Sequence, residues 1–192
     1  MAAFAVGTVL GAGGAWHWRG QVEARQVVAG AAAPSAWVQR VALAHRVYTA
    51  ERRHPVEVNL FTTTAEQRAE QEAHLQRWLT RRVDRPVKLF DLGAHGFEPV
   101  GGRLLPDGPN GVSALLMYER PDDPRVTVTL RRANETVPAT FRGVQQDGLG
   151  LFYWVEGQAG YALAGPLRRE QLLTLAQAIY AQQPAGGPPS KR

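Results

Sequence analysis

The chain opens with a run of apolar and small residues in which no charged side chain appears before Arg19. Trp16 and Trp18 stand at the end of this run, next to that arginine. Aromatic rings followed by a cation are typical of the point where a membrane helix leaves the bilayer. The pattern therefore predicts a membrane helix over residues 1–18, at the short end of the roughly 17–25 residues that a span requires.

Two other interpretations of this segment stay open. A secretory signal peptide begins with positive charge, and this run has none before Arg19. A buried core helix is disfavoured by the glycines of the run, because each glycine in a helix interior costs about 1 kcal/mol relative to alanine. The run begins directly at Met1, as a truncated span would. The cations that follow it would by themselves place the rest of the chain in the cytoplasm.

Three helices are predicted after the apolar run. The first covers residues 35–50, because Ser35 is a good N-cap and apolar residues then recur at helical spacing. The second begins at Thr63 or Thr64, since each fits a capping box with the residue three positions on. The third covers about 166–182 and has a proline near its first turn.

Short apolar runs separated by turns fill the chain between the second and third helices. They read VKLFDL, GFEPVGGRLLP, VSALLMYE, RVTVTLRR and FRGVQ, and a glycine-rich hairpin over residues 149–164 follows. Tight turns indicate an antiparallel sheet, and Gly101 with Gly102 predicts a bulge or bend. We therefore expect an α+β fold: an antiparallel sheet of about five strands with helices packed on one face, preceded by the N-terminal membrane helix.

These patterns divide the chain into four parts. The membrane helix is followed by an alanine-rich juxtamembrane spacer over residues 19–34. A folded domain over 35–183 and a disordered tail over 184–192 complete the chain. The stretch between spacer and tail has the length of a single domain.

Composition and charge argue against some classes of function. Lys and Arg number 22 against 17 Asp and Glu, which gives a net charge of +5, but the arginines are scattered as pairs. A nucleic-acid-binding protein concentrates its cations on one face or stripe, so no nucleic-acid partner is expected. Cysteine is absent, which excludes disulfides, thiolate metal sites and cysteine nucleophiles.

The sequence contains no recognisable pattern of catalytic or metal-binding residues. The histidines lack metal-type spacing, no serine stands in a nucleophile elbow, and the aspartates fall in turns, where backbone preferences account for them. We therefore predict no catalytic residue, no metal ligand, no cofactor and a function other than catalysis. An anchored enzyme, the weakest alternative, would need histidines such as His45, His54 and His74 to converge in space.

Aromatic residues supply the candidate functional surface. The cluster Phe152-Tyr153-Trp154 faces Tyr161 across the predicted hairpin, and tryptophans on the first two helices add to it. One interpretation is an exposed surface that senses a signal or binds a partner. The other is a core face with a lone exposed ring, which is favoured because neighbouring strand residues alternate faces and a hairpin needs a buried face. The candidate sensing or packing surface comprises Trp37, Trp78, Phe152, Tyr153, Trp154 and Tyr161.

Three stretches carry a resemblance to a known family. They are LAHRVYTAERRHPVEV, EAHLQRWLTRRVDRPVKLFDLGAHGFEPVGGRLLP and GLGLFYWVEGQAGYALAGPLRREQLLTLAQAIY. From about Trp37 to Gln182 the chain resembles the extracytoplasmic part of transmembrane anti-sigma factors of Gram-negative bacteria. The phrases HPVEV, GFEPVGGRLLP and FYWVEGQAGYALAG are specific in order and spacing.

The resemblance implies a regulator of transcription. In this family a cytoplasmic N-terminal segment holds an extracytoplasmic-function sigma factor, one membrane helix follows, and a periplasmic domain senses an envelope signal. Release of the sigma factor is often relayed by a site-specific protease. The resemblance places this chain in the inner membrane as a single-pass protein with its C-terminal domain in the periplasm.

This sequence departs from the family pattern at its N-terminus. The cytoplasmic segment, which in many members carries a His/Cys zinc motif, is missing, so the sigma factor would be bound through a segment that these residues do not include. A different class therefore stays open. The alternative is a periplasmic ligand-binding or envelope-interaction domain without a transcriptional role.

Overall fold

The computed structural model describes residues 28–29, 35–61, 64–109, 111–121, 124–133 and 141–183. Its helices are α1 (Ala36–Ala50), α2 (Ala65–Val83) and α3 (Arg169–Ala181), with a single 3₁₀ turn at Gly93–His95. The first two helices begin at the caps that the sequence predicts. The Ser35 hydroxyl accepts a hydrogen bond from the Val38 amide at 3.4 Å, and the Thr64 hydroxyl accepts one from the Gln67 amide at 3.2 Å.

The strands form one sheet in the order β1-β6-β7-β8-β5-β4-β3-β2. Strands β2 to β8 pair with one another in antiparallel fashion, whereas the two-residue β1 pairs in parallel with β6. The strands are β1 (Val28–Ala29), β2 (Val58–Asn59), β3 (Glu98–Pro106), β4 (Val112–Glu119), β5 (Val126–Arg132), β6 (Arg142–Gln146), β7 (Leu149–Glu156) and β8 (Ala159–Gly165).

Helices cover both faces of this sheet. Helix α1 packs on one face, chiefly over β5, β7 and β8, whereas α2 and α3 pack on the other. The prediction of about five strands with helices on one face was therefore wrong in both respects. The sheet has seven antiparallel strands and a short parallel one, and it forms the middle of three layers.

The threonines of β5 explain why the sequence does not predict helices on both faces of the sheet. Strand β4 is buried from Ser113 to Tyr118, as a strand covered on both faces should be. Strand β5, by contrast, alternates apolar residues with Thr127 and Thr129, which resembles a strand with one solvated face. Both threonines are fully buried beneath α1.

The VKLFDL stretch forms no strand of the sheet, contrary to prediction. Its backbone amides are satisfied by side chains instead of by a ladder. The Val87 amide donates to the Thr80 hydroxyl at 2.9 Å, and the Phe90 amide donates to the Tyr118 hydroxyl at 2.9 Å. The segment is thereby fastened to α2 and to the core as an extended loop.

The predicted membrane helix over 1–18, most of the spacer over 19–34 and the predicted tail over 184–192 lie outside the described residues. Within the part of the chain that the structure describes, no helix combines the length and the apolarity needed to cross a bilayer.

The predicted irregularity at Gly101 is a bulge. The register of β3 against β4 shifts between Pro99 and Gly101, whose φ is 150°. A Cβ on Gly101 would stand 2.1 Å from the Val58 carbonyl oxygen, so β2 would have to move away.

We expect Gly101→Ala to lower the free energy of unfolding by about 2 kcal/mol, since backbone strain is added to the clash. Gly108→Ala is the matched control, because Gly108 has a φ of 75° but open space around its Cβ position. Urea denaturation should show a smaller loss for the control, and equal losses would contradict the steric argument.

Candidate functional site

Helix α1 lies lengthwise over strand β5. Near the start of the helix, the Arg131 guanidinium stands over the Trp37 ring, 4.5 Å from its centroid. Near its end, His45 Nδ1 lies 2.9 Å from the Thr127 hydroxyl oxygen. The helix rises about 12 Å from Trp37 to His45. The strand advances about 13 Å between Thr127 and Arg131. The helix and the strand therefore run antiparallel and in step.

The surface of the sheet on which α1 packs, called here the α1 seat, is apolar at its sides and polar along its middle. One small cluster joins the first two turns of α1 to β7 and β8, and another joins its last turns to β3 and β4. Between them runs the β5 column of Thr127, Thr129 and Arg131. The opposite face, under α2 and α3, carries one continuous apolar cluster. Helix α1 is thus held by a less apolar surface than the other two helices.

His45 is the buried titratable group of this seat. It is 4% exposed, and burial, followed by the positive charge of Arg46, lowers the pKa of its imidazole to about 4. The ring is therefore neutral at neutral pH and hydrogen-bonds Thr127 in that form. Protonation of His45 opposes docking of α1, because a charged ring would lose its solvation there.

The Thr129 hydroxyl oxygen, next along the same column, is buried and has no hydrogen-bond partner among the described residues. A buried hydroxyl without a partner destabilises the fold.

We expect Thr129→Val to raise the free energy of unfolding by about 1 kcal/mol, because the shape of the side chain is kept and the desolvated oxygen is removed. Thr127→Val should lower it by a similar amount, since it leaves His45 without its partner. Urea denaturation measures both changes, and shifts of the same sign would contradict this assignment.

A salt bridge also fastens α1 at the end of the sheet. Arg40 of the helix forms a salt bridge with Asp107, which stands in the turn between β3 and β4. The Asp107 side chain is 8% exposed, so this pair is shielded from solvent on the carboxylate side. Together with the Arg131–Trp37 stacking, it connects the first half of α1 to the ends of β3, β4 and β5.

The predicted aromatic surface is divided between the two faces of the sheet. Phe152, Trp154 and Tyr161 belong to the core under α2 and α3, where the Trp154 and Tyr161 rings stack with centroids 5.5 Å apart. Trp78 packs against the edge of the same core. Trp37 lies on the opposite face, and that face also holds Tyr153.

Only one pair of the predicted set belongs to the α1 seat. The Trp37 and Tyr153 rings meet edge to face, with centroids 6.4 Å apart. Alternation along β7 accounts for the division, because Tyr153 points away from its two neighbours. No single aromatic surface results, and Trp37 with Tyr153 anchors α1 instead.

Sequence reasoning missed the polar members of the seat. The sequence pattern favours an exposed or hydrogen-bonded His45 over a metal ligand but does not identify its partner, and it predicts no role for Thr127 or Arg131. A signal was present: Trp37, Val41 and His45 recur at four-residue intervals, which puts the histidine in line with the apolar face of α1. In the described part of the chain, no three His, Asp or Glu side chains group as a metal site would require.

The backbone preceding α1 also reaches the sheet. Val28 pairs with Arg142 and Ala29 with Gly143, in parallel, along the otherwise open edge of β6. The spacer predicted over 19–34 is therefore attached to the domain at this edge and again through α1.

No protein-family model matches this chain, and no curated protein does either.

Proposed function

We propose that this chain is the periplasmic sensor region of a membrane-anchored anti-sigma factor, which controls the release of an extracytoplasmic-function sigma factor. The sigma factor would be held by a segment outside these residues. The protein would sit in the inner membrane as a single-pass protein with this domain in the periplasm. The resemblance of residues 37–182 to that family supports the proposal.

The polar column beneath α1 is the structural observation that carries the proposal. A sensor must change state at a cost smaller than complete unfolding, and such elements come from the less stable parts of a fold. Releasing α1 exposes two small apolar clusters and a polar column. Releasing α2 or α3 would open the main core.

The place of α1 in the chain gives its release a consequence. It is the first helix of the domain and directly follows residues 19–34. While α1 is docked, Val28 and Ala29 of the spacer pair with β6, and the helix that follows the spacer is anchored through Trp37. Release of α1 would free the spacer, and freed segments are where proteases cut. A site-specific protease acting on the spacer would then pass the signal across the membrane.

A periplasmic ligand-binding domain without a transcriptional role is the second candidate. An arginine-lined cavity at one end of the sheet favours it. The two candidates differ in whether the domain controls a sigma factor.

The deciding experiment is transcript profiling in the organism that encodes the chain. Deletion of the gene, and its replacement by the Trp37→Ala form, should raise the same set of transcripts several-fold. That increase should vanish when the gene of one sigma factor is also deleted. Unchanged transcripts, or an increase that survives the loss of every extracytoplasmic-function sigma factor, would reject the anti-sigma role.

A further inference from the structure

Beneath His45, a row of side chains crosses the sheet without a charged group. Residues that pair in register across a sheet point to the same face, so the pairing partners of Thr127 also lie under α1. The row extends from Thr127 through the neighbouring strands on both sides. Its members are Gly101, Met117, Thr127, Ala164, Leu151 and Val144. Thr127 has the one polar side chain among these six and hydrogen-bonds His45 Nδ1 at 2.9 Å.

Charged and titratable groups stand around this row, on the elements that pack against α1. In the described part of the chain they are Arg103 on β3, Glu119 on β4, Arg125 and Arg131 on β5, Tyr153 on β7, Glu57 after α1, Asp107 and Asp147 in turns, and Arg40, Arg46 and Tyr48 on α1 itself. Strand β8 adds none, because it presents only Gly160, Ala162 and Ala164 to the helix.

Each carboxylate of this set that belongs to the sheet, its turns or the segment after α1 is paired with an arginine. The pairs are Glu119–Arg125, Asp147–Arg46, Glu57–Arg103 and Asp107–Arg40. None of these carboxylates pairs with His45, and the charge next to it in the chain, on Arg46, is positive. Burial, followed by that positive charge, lowers the pKa of the His45 imidazole to about 4. A protonated ring therefore regains its solvation only when α1 leaves the sheet.

We propose that the domain senses acid, and that a proton taken up by His45 releases α1 from its seat. Release of this helix alone is expected, because the α1 seat has two small apolar clusters on either side of the polar column. Helices α2 and α3 cover the continuous core on the other face. The proposal rests on the proposed function, in which release of α1 is the output, and it names the signal as a fall in pH.

The size of the response follows from the two states of the imidazole. Its pKa is about 4 in the docked helix and takes the ordinary value of 6.5 once the ring is in water. Above pH 6.5 neither state binds the proton. As the pH falls from 6.5 towards 4, only the released state binds it, so docking is weakened. The equilibrium constant for release should therefore be about 30-fold larger at pH 5 than at pH 7.5. A released state that holds about 1% of the molecules at pH 7.5 would hold about a quarter of them at pH 5.

Hydrogen exchange of the α1 amides at pH 7.5 and pH 5 tests this switch on the full chain in detergent micelles. Each rate is divided by the intrinsic exchange rate at that pH, which gives the equilibrium constant for opening. We expect this constant to rise about 30-fold for residues 41–50 of the parent and to stay nearly constant in His45→Asn. His45→Gln is a second neutral replacement, so either variant suffices if the other fails to fold.

Asp147→Asn is the matched control. It makes a carboxylate-to-amide change at the partner of Arg46 and leaves His45 in place. Asparagine also suits the φ of 51° at this position. This variant should dock α1 less tightly at both pH values and keep the response of about 30-fold to acid.

Each outcome decides the inference. An equal response in the parent and His45→Asn, no response in the parent, or loss of the response in Asp147→Asn would overturn it. An acid opening with the denaturant dependence of global unfolding would overturn it as well, because α1 would then not leave alone. If acid opens α1 while transcripts stay unchanged on gene deletion, the switch stands and the anti-sigma role fails. If gene deletion raises the transcripts but acid does not open α1, the role stands and the switch fails.

Discussion

Trp37→Ala is expected to lower the free energy of unfolding by about 3–5 kcal/mol, the range for truncating a buried Phe or Trp side chain to alanine. Trp37 is 6% exposed and contacts Tyr153 and Arg131. The larger functional effect should be local. With its anchor removed, α1 should leave the sheet more often, and proteolytic cleavage within residues 19–34 should become faster.

Leu175→Ala is the matched control for this variant. Leu175 is 2% exposed in α3, on the opposite face, and its truncation should cost about 2–5 kcal/mol. Limited proteolysis is compared at temperatures where both variants have the same free energy of unfolding. We expect faster cleavage of the spacer in Trp37→Ala alone. Equal cleavage rates in the two variants would show that α1 does not protect the spacer.

Acid is expected to destabilise the domain through His45. The pKa of this histidine is about 4 in the folded protein against an ordinary value of 6.5. Above pH 6.5 the ring is neutral in both states and contributes no pH dependence. As the pH falls from 6.5 towards 4, only the unfolded or undocked state takes up the proton, so stability is lost. Each unit by which the pKa differs between the folded and unfolded states is worth 1.36 kcal/mol, so the total loss of stability is on the order of 3 kcal/mol.

His45→Asn isolates this contribution, because an amide can replace Nδ1 as the partner of the Thr127 hydroxyl without titrating. As the pH falls from 7.5 to 4, the unfolding free energy of the parent should fall by about 3 kcal/mol more than that of this variant. His74→Asn, which makes the same replacement at an exposed position of α2, is the control for the substitution itself. Denaturation curves across this pH range provide the measurement. Parallel curves for the parent and His45→Asn would contradict the assignment.

Local signals located most elements correctly. Some features depend on residues that are close together in the chain, so they can be predicted from the sequence. They are the caps at Ser35 and Thr64, the bulge before Gly101 and the hairpin over 149–165. The layer order depends on long-range packing. Strand β5 presents alternating threonines, and nothing in its own sequence shows that a helix some eighty residues earlier covers them.

The candidate site was harder to predict for the same reason. The sequence predicts the aromatic residues as one sensing or packing surface, but strand alternation sends Tyr153 to one face of the sheet and Trp154 to the other. His45 looked like an ordinary helix residue, because its importance comes from Thr127, 82 positions later in the chain. The cavity arginines come from α2 and β5 and have no common motif. Only the fold brings them together.

The central claim is that α1 is a separately releasable element of this domain. Native-state hydrogen exchange tests it most directly, by comparing the backbone amides of residues 36–50 with those of residues 65–83 and 169–181. At neutral pH we predict that the α1 amides exchange through an opening that is smaller in free energy and less sensitive to denaturant than global unfolding. The amides of α2 and α3 should exchange only with the whole domain. If all three helices exchange with the same free energy and the same denaturant dependence, α1 is an integral part of the core and the account is contradicted.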